Sequence, residues 1–256
     1  MEATKNSLAL VLNRQAYRER DSLVNVYTAK WGKLPLIARG TQKLGSKLAG
    51  HIEPLSLVNL MIVRGKGLDY IGSSINSNSF LNIRQDLNKL YYAGEALNIF
   101  NRLTQADQAD DELFNLLTEY LQVVNDISEA TDKLAEPSLA KDQGELLLNG
   151  FTWQLLNILG YRPELYHCLT CRESLSPGIN YFDLLNGGLV CATCWADSRT
   201  ATNFTATNFQ LCSDNCLKAV RFLTTSQPKS FTKLIIDQKT GKDLSLLTRN
   251  FLKFCN

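Results

Sequence analysis

Residues 22–38 read SLVNVYTAKWGKLPLIA. Two runs rich in β-branched and aromatic residues, Ser22–Thr28 and Lys33–Ala38, flank a turn at Thr28–Gly32, which is the pattern of a β-hairpin. Pro35 has no amide hydrogen to give, which favours an edge strand or a bulge there. Outward from the hairpin the β character continues. Leu8–Leu12 is a short apolar run, Leu55–Val63 (LSLVNLMIV) is a long strand, and Gly65-Lys66-Gly67 turns the chain into a returning strand over Leu68–Ile75. Between them, residues 39–50 (RGTQKLGSKLAG) are polar and hold three glycines, a loop with room for one helical turn. Five short strands with a polar connection between the third and fourth suit a small closed barrel, and the five-stranded OB-fold is the common member of that class.

Beyond residue 80 the period lengthens to that of a helix. Ile83, Leu87, Leu90, Gly94, Leu97 and Phe100 form one stripe. Leu113, Leu116, Leu117, Tyr120 and Val124 form a second, opened by Asp110-Asp111-Glu112, whose negative charge suits a helix N-terminus. A third runs through Leu148, Phe151, Leu155 and Leu159 and stops at Gly160, with Pro163 beyond it. Residues 163–200 are rich in loops. After them Phe209, Cys212, Cys216 and Val220, then Leu244, Leu247, Phe251 and Phe254, return to helical spacing. The chain is therefore read as an α+β multidomain protein: a barrel over 1–79, a helical domain over 80–165 that resumes over 205–256, and a small cysteine-bearing insert over 166–204.

With 45% apolar and 20% charged residues in 256, the composition is that of an ordinary globular protein. No apolar run approaches the roughly 18 residues of a membrane span, and the N-terminus lacks the pattern of a secretory signal, so a soluble cytoplasmic protein is expected. The net charge of +2 hides an asymmetry. Residues 1–80 carry 11 Lys and Arg against 5 Asp and Glu, residues 81–165 carry 6 against 14, and residues 166–256 carry 10 against 6. The basic first block is where polyanion binding is to be sought. Its cations sit among aromatic rings: Arg14, Arg18 and Arg20 with Tyr17, Lys30 and Lys33 around Trp31, then Arg39, Lys43 and Lys47 at a spacing of four along the polar loop. Positive charge attracts phosphates and aromatic faces stack bases, the combination a single-strand binder needs.

The seven cysteines carry the most specific local signal. Cys168-x2-Cys171 is followed after 19 residues by Cys191-x2-Cys194, two knuckles whose four thiolates can close a tetrahedron around Zn²⁺. The intervening segment has few bulky apolar residues, so metal is expected to supply its folding energy. Four thiolates leave no open position for water, which argues for a structural rather than a catalytic ion. Cys212 and Cys216 lie on an apolar stripe and read as buried thiols, and Cys255 as a free one. His51-x-Glu53 upstream of a CxxC echoes the zinc deaminase pattern, but Cys168 follows His167 rather than proline, and more than 100 residues intervene. No phosphate-binding loop, nucleophile elbow or HExxH is present, and two histidines leave little acid–base machinery.

Two blocks of residues resemble the bacterial RecO recombination-mediator family. One is YRERDSLVNVYTAKWGKLPLIARG (17–40) with HIEPLSLVNL (51–60), and the other is NILGYRPELYHCLTCRESL with YFDLLNGGLVCATC, within 157–194. The family often has glycine after the first CxxC, where this chain has Arg172. The resemblance implies an N-terminal OB-fold, a helical domain and an inserted zinc ribbon holding one structural Zn²⁺ on Cys168, Cys171, Cys191 and Cys194. It implies a non-enzymatic DNA repair mediator that binds single- and double-stranded DNA, anneals complementary strands and loads RecA onto DNA coated by single-stranded-DNA-binding protein. Its partners would be RecR and the acidic C-terminal tail of that coating protein. Carried over by position, Arg14, Arg18, Lys33, Arg39, Lys43 and Lys47 would contact DNA. The rival reading from a different class is a zinc-ribbon adaptor between proteins that binds no nucleic acid.

Overall fold

The structure is a computed structural model that describes residues 4–127, 137–199 and 205–255. It divides into two compact units, residues 1–128 and 129–256, each taken by itself below. The segment 80–165, grouped above by its helical period, is thereby shared between them.

In the first unit, β1 (Thr4–Tyr17), β2 (Asp21–Thr28), β3 (Gly32–Ala38), β4 (Leu57–Val63) and β5 (Asp69–Asn78) close a barrel in the order β1-β2-β3-β5-β4. β1 serves both neighbours by bending: its first half pairs with β4, its second with β2, and the register slips between Val11 and Asn13. Alternate side chains point inward, and Val11, Val24, Val26, Leu36, Val58, Leu60 and Ile62 fill the barrel. The β2–β3 hairpin falls where the sequence puts it. Pro35 pairs with Asn25 on one side, while β5 reaches only Leu36 and Ile37 on the other, so the missing amide leaves no gap in the ladder. β1 runs five residues past the apolar run Leu8–Leu12, which places Arg14 inside a strand rather than in a connection.

Three helices complete this unit: α1 (Leu81–Gln85), α2 (Leu87–Leu103) and α3 (Asp111–Asp126). The first apolar stripe is corrected here. Asp86 is extended and caps a new helix by accepting from the amides of Asn88 and Lys89, so the phase resets between Ile83 and Leu87. The buried face of α2 is Tyr92, Ala93, Ala96, Leu97, Ile99 and Phe100, whereas Leu87 is 84% exposed. Asp110 caps α3 as the acidic run foretells. The loop between α2 and α3 lies on the hairpin: Tyr27 packs edge-on against Phe100 and donates to the Gln108 carbonyl. Gly32 (φ +67°) brings its backbone so close that a Cβ would stand 2.0 Å from that same oxygen.

The second unit is built around α4 (Pro137–Ile158), whose side chains are described from Gln143 onward. Gly160, at φ +91°, ends it, and the Tyr161 amide returns to the Leu156 carbonyl. β6 (Asn180–Asp183) and β7 (Gly188–Cys191) form a hairpin leading into α5 (Ala192–Ser198), and β8 (Phe209–Cys212) joins the other edge of β6. Then come α6 (Asp214–Thr225), α7 (Pro228–Phe231) and α8 (Gln238–Phe254). The stripe from Phe209 to Val220 is thus part strand and part helix, because Ser213 caps a helix that starts only at Asp214. Trp153 stacks on Phe251 and meets the edge of Phe182, and its indole N–H donates to Thr248. Phe182 belongs to the hairpin between the two cysteine knuckles, so that insert does have an apolar core to fold on, one it shares with α4 and α8.

Candidate metal centre and nucleic-acid interface

The two knuckles are brought together by β7. The amide of Leu169 donates to the Leu189 carbonyl, which lays the first knuckle along the strand, and Cys191 ends that strand and caps α5. The four Sγ atoms of Cys168, Cys171, Cys191 and Cys194 lie within 4.8 Å of one another. Zn–S bonds of about 2.3 Å in a tetrahedron set sulfur–sulfur edges of roughly 3.8 Å, so this donor set fits the ion. Burial pushes the Cys168 thiol up, but the amides of Cys191, Cys171 and Thr170 point at its sulfur and hold it at about 6, a thiolate at neutral pH. Cys194, hydrogen-bonded to Cys191 and close to Cys171 and Cys168, is pushed up to about 12. Four crowded sulfurs cannot all ionise unaided, and a divalent cation removes that restraint.

Arg172, in the residue position after the first knuckle, has φ 64° and donates its amide to the Cys168 carbonyl. A left-handed turn is needed there, a conformation that glycine adopts freely and arginine only under strain. Behind the second knuckle Trp195 stacks flat on Tyr181, 3.8 Å between centroids, tying α5 to β6. His167 stays out of the cluster, its Nδ1 3.6 Å from Glu164. Among the described residues this is the sole group of three or more His, Cys, Asp or Glu able to hold a metal. Cys212 and Cys216 are buried, and Cys216 is pushed up by its hydrogen bond with Cys212 and by burial. Glu53 of the deaminase-like echo is bound to Arg14.

The six cations carried over as DNA contacts fall into two sets. Arg14 is largely covered and fully engaged: it donates to Glu53 at 2.5 Å, to Ser22 and to the carbonyls of Ala49 and Thr41. It thereby pins residues 41–53 to the barrel. Lys33 donates to the carbonyls of Asn101 and Thr104, at the C-terminus of α2, where a cation meets the negative end of the helix. Burial lowers its pKa. The other four face solvent. Arg18 sits in the tight turn after β1 with its guanidinium 5.0 Å from the Tyr17 ring. Arg39 lies 3.7 Å from the Tyr70 ring centroid, and Lys43 and Lys47 project from the loop that follows. Leu44, between those lysines, is fully exposed. Two members of this surface were not singled out in the sequence. Tyr70 meets Arg39 only across the β3–β5 pairing, which has no local signature; Leu44 did carry a signal, an apolar residue amid a polar loop. Trp31 packs against the barrel core, with Lys5 over its ring.

Residues 1–80 match the family model described as recombination protein O N terminal, and residues 84–254 the one described as recombination protein O C terminal. The DNA repair protein RecO of Roseiflexus sp. is 30% identical over 246 residues, 96% of this chain and 78% of that protein. The protein of the same name from Dehalococcoides mccartyi strain BAV1 is 28% identical over 249 residues, 96% and 88% of the two chains. That of Alkaliphilus metalliredigens is 29% identical over 184 residues, 72% and 69%. Among the described residues no helix is long and apolar enough to cross a membrane.

Proposed function

Because the chain belongs to the RecO family of DNA repair proteins, we propose that it is a non-catalytic, cytoplasmic recombination mediator whose barrel grips nucleic-acid strands by their phosphates. One observation carries the reading: Arg39, Lys43 and Lys47 stand exposed on a single loop of an OB-type barrel, beside the Tyr70 ring, and none is in an ion pair among the described residues. Such a surface attracts any phosphodiester strand, and the Arg39 guanidinium on Tyr70 and the exposed Leu44 give unstacked bases something to rest on. Arg18 extends it, while Arg14 and Lys33 act indirectly, by holding the loop and α2 in place. Gripping without regard to base order lets complementary strands meet and anneal.

Zn²⁺ on Cys168, Cys171, Cys191 and Cys194 would fix the ribbon. Protein partners suit the apolar surfaces. A groove of about 430 Å³ between α6 and residues 234–237, lined by Ala219, Phe222, Leu234 and Ile235, offers apolar contact to a partner segment; Lys218 at its rim is paired with Asp214, and Asp237 also lines it. The exposed Leu87, Leu90 and Tyr91 of α2 offer a face for RecR. RecA loading would follow from holding coated DNA and its coating protein at once.

Titrating labelled single-stranded DNA at several salt concentrations tests the core of this. The log–log slope should be about −0.7 per phosphate contacted, and reversing Arg39, Lys43 and Lys47 to Glu should flatten it by about 2 and weaken binding at least tenfold. No binding at low ionic strength would leave the adaptor reading in its place.

A further inference from the structure

Lys233–Asp237 (KLIID) joins α7 to α8 outside any helix or sheet. Its exposure nevertheless alternates as in a strand: Lys233, Ile235 and Asp237 face solvent, while Leu234 and Ile236 are half-buried. Ile235 is 95% exposed. Among the described residues neither Ile235 nor Ile236 takes part in a backbone–backbone hydrogen bond, and neither Lys233 nor Asp237 is in an ion pair. Asp237 caps α8 through Thr240 and keeps its carboxylate at the surface. The segment forms one wall of the groove described above, with Ala219 and Phe222 of α6 on the other. An apolar extended stretch with unpaired backbone groups is a template for a second strand.

Resting on the reading of that groove as a partner surface, we infer that its occupant is a second copy of this chain, the two KLIID segments pairing antiparallel about a two-fold axis at Ile235. The charges select both the partner and the register. With Ile235 opposite itself, Leu234 meets the partner's Ile236, and Lys233 meets the partner's Asp237 at each end, so the segment is complementary to its own reverse. A slip of one residue would set Leu234 against Asp237 and turn the outward residues to the wrong face. Of the two charged residues that line the groove, Lys218 is already held by Asp214 at 2.7 Å, which leaves Asp237 to be met by a cation. An acidic segment finds no free cation there, whereas a copy of Lys233 supplies one. The contact is isologous, each segment lying in the other's groove, and it closes at two copies. A pair of five-residue strands is smaller than a standard interface, so the association is weak, with a Kd on the order of 10 µM. The dimer carries two barrels on one particle.

Sedimentation velocity on the full-length, zinc-loaded protein from about 2 to about 200 µM gives the test. The wild type should pass from monomer to dimer across that range. K233E opposes Glu to Asp at both ends of the pair, and I235E sets two carboxylates on the axis. Each should weaken the dimer about tenfold or more, with the melting temperature unchanged. D237K should do the same by opposing two lysines. K233E mixed with D237K should restore a one-to-one dimer, because opposite charges then face each other at both ends. A wild type that stays monomeric throughout would overturn the proposal, as would a dimer that withstands K233E and I235E, or folded charge variants that stay apart when mixed. F222S separates the two claims: a dimer lost in I235E but kept in F222S would leave the strand pairing standing and take the groove out of it.

Discussion

Arg14 and Arg39 are both arginines of the basic N-terminal block, and their surroundings give them opposite tasks. Arg14 reaches partners 8, 27, 35 and 39 residues away in the chain and keeps little contact with water. Removing it strands Glu53 and unpins the polar loop, so Arg14→Ala should lower barrel stability by about 2 kcal/mol, in the range for losing hydrogen bonds to a charged group. Arg39 rests on an aromatic face with its charge toward solvent, so Arg39→Ala should cost under about 0.5 kcal/mol and act on DNA binding instead. Urea melts and DNA titrations on the same two variants check this. Equal melts for both would contradict the assignment of Arg14 to the fold. Sequence spacing could not distinguish them. The composition of the block was legible, but which cation is consumed internally depends on contacts made across the barrel, as Lys33 shows again at the end of α2.

At the scale of elements, alternation and capping were legible where they act locally. The hairpin, the acidic start of α3 and the Gly160 stop of α4 each rest on a few adjacent residues, and each stands where those residues put it. The first helical stripe failed at Asp86, since a cap resets the phase while leaving apolar residues at helical intervals on both sides of it. Capping by aspartate also makes a pH prediction for α8. The hydroxyl and the amide of Thr240 hold the Asp237 carboxyl below its usual 3.8. A lowered carboxyl contributes its stabilisation in full above the unfolded value and loses it as acid takes the pH down through the folded one. Asp237→Asn keeps an acceptor on the N-cap but no titration. The stability difference between wild type and this variant should therefore be constant from neutral pH to about 5 and shrink below about 4. A difference that is flat throughout the acid range would show that the cap does not depend on charge.

At the scale of the molecule, the metal knuckles were legible as a pattern, but their place was not. The spacing of four cysteines points to a metal-holding cluster, whereas Phe182 gives no local hint that it will pack edge-on against the stacked pair of Trp153 and Phe251. This changes what metal removal should do. If the insert had only its ion, chelation would unfold it outright. Its hairpin instead shares the core of α4 and α8, so losing the ion should open the two knuckles and leave β6 and β7 docked, a local rather than a global opening. The three tryptophans report on three different places: Trp31 against the barrel core, Trp153 in the helical core and Trp195 behind the second knuckle. Single-tryptophan variants treated with chelator should show a large change in emission from Trp195, a small one from Trp153 and none from Trp31. Cys168→Ser with Cys171→Ser should reproduce that order without chelator. A change at Trp31 would mean that the barrel depends on the ion, against its division into a unit of its own. Loss of the Trp153 signal together with that of Trp195 would mean that the shared aromatic core cannot hold the hairpin once the four sulfurs are free to repel one another.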